Sequence, residues 1–182
     1  CFEVKMHSSI FKTHPEVNSV VHVHPHYIIL ATTLFKRLRP MNQEGIHLVQ
    51  NELPMWNHVK TVQTDDEGME VAGLLGDSKA LLLRGHGATT VGRSLEESVM
   101  NMIHLEEQAK MNYYAYSAAG PDHAYIEDEL IAEMSNRTPM PELPHFAQVL
   151  PPGFRPNVGG VWQYYTRVVT NDPEARPPIQ RP

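Results

Sequence analysis

Cysteine is nearly absent. Cys1 is the only one among 182 residues, so no internal disulfide can staple the chain, and the composition suits a reducing compartment, with the cytoplasm the expected location. No run of about 18 apolar residues is found and no signal-peptide pattern is visible, which argues against a membrane-spanning helix. Basic blocks are missing too. A formal net charge of −6 and a pI near 6.0 argue against a surface for nucleic acid or an anionic membrane, and a small-molecule partner is expected. What is present, 41% hydrophobic and 20% charged residues, is enough for one globular domain with a real core. The opening "CFEVKMH" lacks a methionine and reads like mid-domain sequence, so an N-terminal truncation is expected.

Periodicity predicts a helix over residues 3–14, with Val4, Met6, Ile10 and Phe11 at loosely helical spacing and Pro15 as its stop. "VNSVVHVH" reads as a strand, and "PHYIILATTLFKRL" as a helix leaving it with proline at its start. "GIHLVQ" and "VKTVQT" read as short strands, "DDEGMEVAGLLG" as a helix closed by Gly76, and "KALLLRGHGATTVG" as two strands around a "GHG" turn. Ser94 and Glu97 predict a reciprocal capping box for a long helix. Its apolar stripe runs through Leu95, Val99, Met102, Ile103, Ala109 and Tyr113 to Gly120-Pro121. "IEDELIAEM" is one more short helix. Ten of the fifteen prolines lie from Pro139 onward, which separates a main domain, residues 1–138, from a proline-rich extension, 139–182. That extension holds one aromatic and β-branched island, "GGVWQYYTRVV", suited to pack on the domain or on a neighbouring subunit.

The chemistry concentrates in "SVVHVHPHY". On a strand, residues i and i+2 share a face about 7 Å apart, so His22 and His24 are either solvated strand histidines or a pair able to converge on one ion. His86, flanked by glycines at the end of a leucine strand, is either a polar turn residue or a third donor free to project its ring. Three neutral imidazoles leave an open coordination position for substrate, and donors of this type suit Zn²⁺, with Mn²⁺ or Co²⁺ as alternatives. Because the imidazoles must be neutral, activity is expected to fall as pH drops through the histidine range near about 6.5.

Taken together, "EVKMHSSIFKTHPEVNSVVHVHPHY" and the later "LLLRGHGATTVGRSLEES" resemble the class II aldolase/adducin domain family over about residues 3–120. That family includes fuculose- and rhamnulose-phosphate aldolases, ribulose-phosphate epimerases, a thioribulose-phosphate dehydratase, decarboxylases of hydroxylated aromatic acids, and adducin-like modules without enzymatic function. The resemblance implies an α/β fold, a three-layer α/β/α class II aldolase-like domain with a central, largely antiparallel sheet, commonly assembled as a homotetramer. It implies metal ligands His22, His24 and His86, one divalent ion per subunit, and Glu3 as catalytic acid/base, nineteen positions before His22 as in the family pattern.

One feature separates this chain from the sugar-phosphate aldolases: their tyrosine beyond the helix after H-x-H has no counterpart in "RPMNQEGIHL". Their phosphate-holding loop lies upstream of the glutamate, outside this sequence, and bears on neither reading. The "L-E-x-x-A" pattern of "LEEQA" and the late "VWQYY" look more like the decarboxylase and hydro-lyase branch. The expectation is a metal-dependent carbon–carbon lyase, decarboxylating a hydroxylated aromatic or keto acid through a metal-stabilised enolate-like anion; the other family reactions and an adducin-like interaction module are the alternatives. Tyr164, beside Tyr165 and Arg167, is either a substrate contact reaching a carboxylate or part of the packing of the C-terminal segment.

Overall fold

The computed structural model describes residues 3–34, 37–138, 140–150 and 159–172. The chain divides into two compact units, Cys1–Arg137 and Thr138–Pro182.

The first unit is built on a four-stranded sheet with strand order β1-β4-β3-β2. β1 (Ser19–Val23) and β3 (Ala80–Leu83) both run antiparallel to β4 (Gly87–Gly92), while β2 (Met55–Trp56) runs parallel to β3. Alternation along the strands sorts the side chains into two cores. Leu81, Leu83 and Val91 face one side with Met6, Ile10, Trp56, Val71 and Leu75. Ala80, Leu82 and Ala88 face the other with Ile28, Ala31, Met102, Leu105 and Ala109. Helices cover both faces, α1 (Val4–Thr13) and α4 (Asp65–Leu75) on the first, α2 (His26–Leu34), the single turn α3 (Ile46–Val49) and α5 (Leu95–Ala119) on the second. The result is the expected three-layer, largely antiparallel α/β domain. α6 (Asp128–Ser135) closes the unit, burying Ile131.

Several local expectations change. "GIHLVQ" is the helical turn α3, with Ile46, Leu48 and Val49 all buried, and the edge strand is Met55–Trp56 instead. "VKTVQT" makes no ladder because the Val62 N–H donates to Glu3 Oε1 at 3.2 Å. In α1 only Met6 and Ile10 of the four apolar positions are buried, whereas Val4 and Phe11 are exposed. Ser94 Oγ accepts from the Glu97 N–H as a cap should, but Glu97 Oε2 takes the Arg93 N–H, so the reciprocal half of the box is missing. A complete capping box starts α4 at Thr64 and Glu67.

The buried face of α5 also departs from its apolar stripe. Leu95 is exposed, while Ser98, Asn101, Gln108 and Asn112 are buried. Gln108 and Asn112 replace backbone partners for a loop that lacks them. Gln108 Oε1 accepts the Met41 N–H at 3.0 Å and its Nε2 donates to the Glu44 carbonyl at 2.7 Å. Asn112 accepts from the Arg39 N–H and donates to its carbonyl. Hydropathy cannot see a face buried for its hydrogen bonds.

Glu67 links this layer to pH. Its bond from Lys60, then those from the Gln63 and Thr64 N–H groups, hold its carboxyl at about 2, well below the ordinary carboxylate range. A depressed folded-state pKa stabilises the fold above the unfolded value near about 4.3 and loses that contribution as pH falls toward the folded value. The gap in urea midpoint between the wild type and Glu67→Gln should therefore be widest at pH 5 and above and should narrow steadily toward pH 3. A gap independent of pH over that interval would show that the charge of Glu67 is not the source.

The second unit contains a 3₁₀ turn (Met140–Glu142), the short α7 (Pro144–Ala147) and α8 (Gly160–Asn171). The aromatic and β-branched island is thus a helix, and none of its residues is buried. Most of the expected proline-rich extension's prolines fall in residues 151–158 and 173–182, which lie outside the described residues.

Candidate metal centre

β1 carries His22 on the same face as Glu3, opposite Thr89 of β4. His24 follows the strand end, and Pro25 turns the chain into α2. His86 sits on the turn between β3 and β4, its N–H donating to the Leu83 carbonyl at 3.1 Å. The residue before it, Gly85, has φ +63°, a conformation that a side chain strains. Glu3 precedes α1 and is buried. The three rings meet with centroids 5.0 Å (His22 to His24), 5.1 Å (His22 to His86) and 4.5 Å (His24 to His86) apart. One donor atom from each of Glu3, His22, His24 and His86 lies within 4.8 Å of the others.

The hydrogen bonds fix what those atoms offer. His22 Nδ1 lies 3.0 Å from the Ala88 carbonyl, which can only accept, so Nδ1 carries the hydrogen and Nε2 presents a lone pair. Burial, only partly offset by Glu3 and reinforced by His86 and His24, pushes the His22 pKa down to about 4. His22 is therefore neutral through the ordinary histidine range, and its protonation contributes to acid loss of the site only well below the expected value near about 6.5.

Its lone pair faces Glu3 Oε2 at 2.9 Å and His24 Nε2 at 3.1 Å. His24 Nε2 donates to that lone pair in one tautomer, whereas Glu3 Oε2, an electron-pair donor, repels it unless a proton or a cation lies between them. Tetrahedral zinc, with Zn–N near about 2.0–2.1 Å, sets its ligands about 3.3–3.4 Å apart, close to the spacing seen. The donor set fits a divalent ion. His86 Nε2 lies 3.7 Å from Glu3 Oε2, and its Nδ1 is buried with no hydrogen-bond partner among the described residues. Glu3 is oriented by the Val62 N–H on Oε1, which leaves Oε2 directed at the histidines.

All four residues expected to act together, Glu3, His22, His24 and His86, are brought together in the first unit. Tyr164 belongs to the second unit, exposed on α8, with its ring edge-on to Tyr165 at 5.4 Å between centroids. Sequence reasoning missed Val62 and Ala88, whose backbone groups orient Glu3 and His22; the β1–β4 register alone points to the second.

A mixed sheet between two helical layers, with three histidines and a glutamate gathered at one sheet end, defines the class of protein. The chain belongs to the family described as class II aldolase and adducin N-terminal domain, which it matches over residues 2–113. It is 30% identical over 122 residues to the 3,4-dihydroxyphthalate decarboxylase of Rhodococcus jostii (strain RHA1), covering 65% of this chain and 50% of that enzyme. The chain thus spans about half the length of that relative. Among solved structures it resembles an aldolase II superfamily protein from Pseudomonas syringae (TM-score 0.68, 21% identity, 90% of this chain and 60% of that one). It also resembles the l-fuculose-1-phosphate aldolase of Thermus thermophilus (TM-score 0.56, 31% identity, 66% of this chain and 64% of that one). Among the described residues no helix is long and apolar enough to cross a membrane.

Proposed function

We propose that this chain carries the metal and acid/base centre of a divalent-metal-dependent carbon–carbon lyase that decarboxylates a hydroxylated aromatic or keto acid. The observation that supports it most is the convergence of one donor atom from each of Glu3, His22, His24 and His86 within 4.8 Å of the others, with the His22 lone pair facing Glu3 Oε2 at 2.9 Å, a set that a cation would bring together. The similarity to a 3,4-dihydroxyphthalate decarboxylase supports this choice of substrate class.

His22, His24 and His86 hold the ion, with Zn²⁺ first and Mn²⁺ or Co²⁺ as alternatives. Such an ion supplies a Lewis acid that neutralises negative charge developing on a substrate oxygen. The chain's own part is acid/base work. When the bond to the leaving carboxyl carbon breaks, CO₂ departs, the electron pair stays on the substrate carbon, and that carbon takes up a proton. Glu3, with Oε1 held by the Val62 N–H at 3.2 Å, is placed to take up through Oε2 the proton of the substrate's acid or hydroxyl group and then to deliver it to that carbon. His24, the exposed member of the four, marks the open side from which substrate enters.

The proposal places the protein in the cytoplasm as a homotetramer acting on a small molecule. A sugar-phosphate aldolase is the second reading, favoured by the 31% identity to the Thermus enzyme. An adducin-like module without catalysis is the third, from the other half of the family description.

Metal content separates the enzymatic readings from the third. About one divalent ion per chain is expected after purification or Zn²⁺ titration. Dialysis against EDTA should abolish CO₂ release from 3,4-dihydroxyphthalate, and Zn²⁺, Mn²⁺ or Co²⁺ should restore it. A chain that takes up no ion at neutral pH would refute the proposal, whereas a metal-loaded chain that cleaves l-fuculose 1-phosphate and spares the aromatic acid would favour the second reading.

A further inference from the structure

The L-E-x-x-A pattern on α5 has no role in the chemistry above, yet its glutamate makes two of the more specific contacts in the fold. Glu106 Oε1 accepts the Tyr27 N–H at 3.0 Å and Oε2 the Ile28 N–H at 2.9 Å. These are first-turn amides of α2, which a helix leaves without internal partners. A cap is ordinarily supplied by the residue just before a helix and holds only its local conformation. This one comes from 78 and 79 residues away, so it fixes where α2 begins relative to α5 as well as how.

Both ends of that placement lead to the metal centre. Only Pro25 and His26 separate the capped Tyr27 from His24. Farther along α2, the buried Thr32 Oγ1 accepts the Gly85 N–H at 2.9 Å while donating to the Ile29 carbonyl at 2.7 Å. Gly85 is the left-handed residue next to His86. α2 is thus a strut held by Glu106 at one end, ending two residues from one imidazole and bonded one residue from another.

We propose that Glu106 and Thr32 are positioning residues for the ligand cluster, setting His24 and His86 through α2 without touching the ion. The inference rests on the metal reading above. A carboxylate suits the cap because it accepts with both oxygens. An amide at 106 accepts with one and turns an NH₂ group toward the other N–H.

The experiment is a chelator-competition titration of the full chain with Zn²⁺, with the Co²⁺ absorption spectrum as a second readout and apo-protein Tm measured in parallel. Glu106→Gln and Thr32→Val should weaken Zn²⁺ by about 10- to 100-fold, the scale of outer-shell losses at metal sites, and should alter the Co²⁺ bands. Thr32→Ser, which keeps the hydroxyl, should restore affinity to within a few-fold of wild type. Val71→Ala, in the opposite core, should lower Tm and leave affinity and spectrum alone. If Glu106→Gln does not fold, the Thr32 pair carries the test. Variants that lose Tm but bind Zn²⁺ like the wild type with an unchanged Co²⁺ spectrum would overturn the positioning role alone. A wild type that binds no ion would overturn the metal reading and this inference with it.

Discussion

His86→Ala should leave the chain with stoichiometric Zn²⁺ lost under conditions that keep the wild type loaded, whereas Glu3→Gln should keep the ion and lose turnover. His86 supplies one of three nitrogen donors, and removing it should weaken the ion by more than the roughly 10- to 100-fold that an outer-shell change costs. Turnover should fall at least about 10³-fold, since losing one preorganised charge-stabilising donor already costs on the order of 10²–10³. The Glu3 variant isolates the proton. Oε1 would still accept from the Val62 N–H, and the amide NH₂ would face the His22 lone pair now 2.9 Å from Oε2. That new donor competes with the ion, so affinity should drop less than about tenfold while the apo protein gains thermal stability. The rate should fall by about 10²–10⁴, the range for loss of a general acid/base. Metal analysis and CO₂ release from the same preparations decide it. A His86→Ala protein that keeps its ion would remove His86 from the ligand set, and a Glu3→Gln protein with wild-type turnover would remove Glu3 from the proton path.

Much of this centre was legible in the sequence because it is built from short-range geometry. His22 and His24 share a face by strand periodicity alone, and the glycines around His86 mark a turn that projects a ring. Glu3 was legible only through its family spacing, since nothing in "CFEVKMH" predicts a buried carboxylate. What stayed hidden was long-range. The Val62 N–H that orients Glu3 comes from a segment read as a strand, and that reading fails because this donor bonds a side chain instead of a neighbouring strand. The α5 stripe misled for a related reason. Asn101, Gln108 and Asn112 are buried because backbone groups elsewhere need their hydrogen bonds, which a hydrophobicity pattern scores as solvent-facing. Short elements were least secure, as "GIHLVQ" shows, where three buried aliphatic residues in a row of four suit a helical turn as well as a strand.

The closest backbone approach in the centre yields the other large effect. A Cβ built on Gly87 would lie 2.3 Å from the Val23 carbonyl oxygen and 3.0 Å from the His24 Cα. Both are backbone atoms of the segment that presents His24, and neither can rotate aside as a side chain would. Gly87→Ala must therefore push the end of β1 away from β4, where Val23 pairs with Ala88 and the His22 ring bonds the Ala88 carbonyl. Overpacking commonly costs about 1–3 kcal/mol, and with backbone opposing backbone the expected loss is about 3 kcal/mol or more. Displacing His22 and His24 together should also cost over about 100-fold in Zn²⁺ affinity, beyond the outer-shell range. Gly73→Ala is the matched control. It lies inside α4 with nothing within 4 Å of the added methyl, and the same substitution there should stabilise the fold by about 0.5–1 kcal/mol with metal binding unchanged. Chemical denaturation and chelator competition on the pair measure both quantities. Wild-type stability and affinity in Gly87→Ala would mean that β1 and β4 can part there without moving the ligands, and that the close approach at Gly87 is not what holds His24 in place.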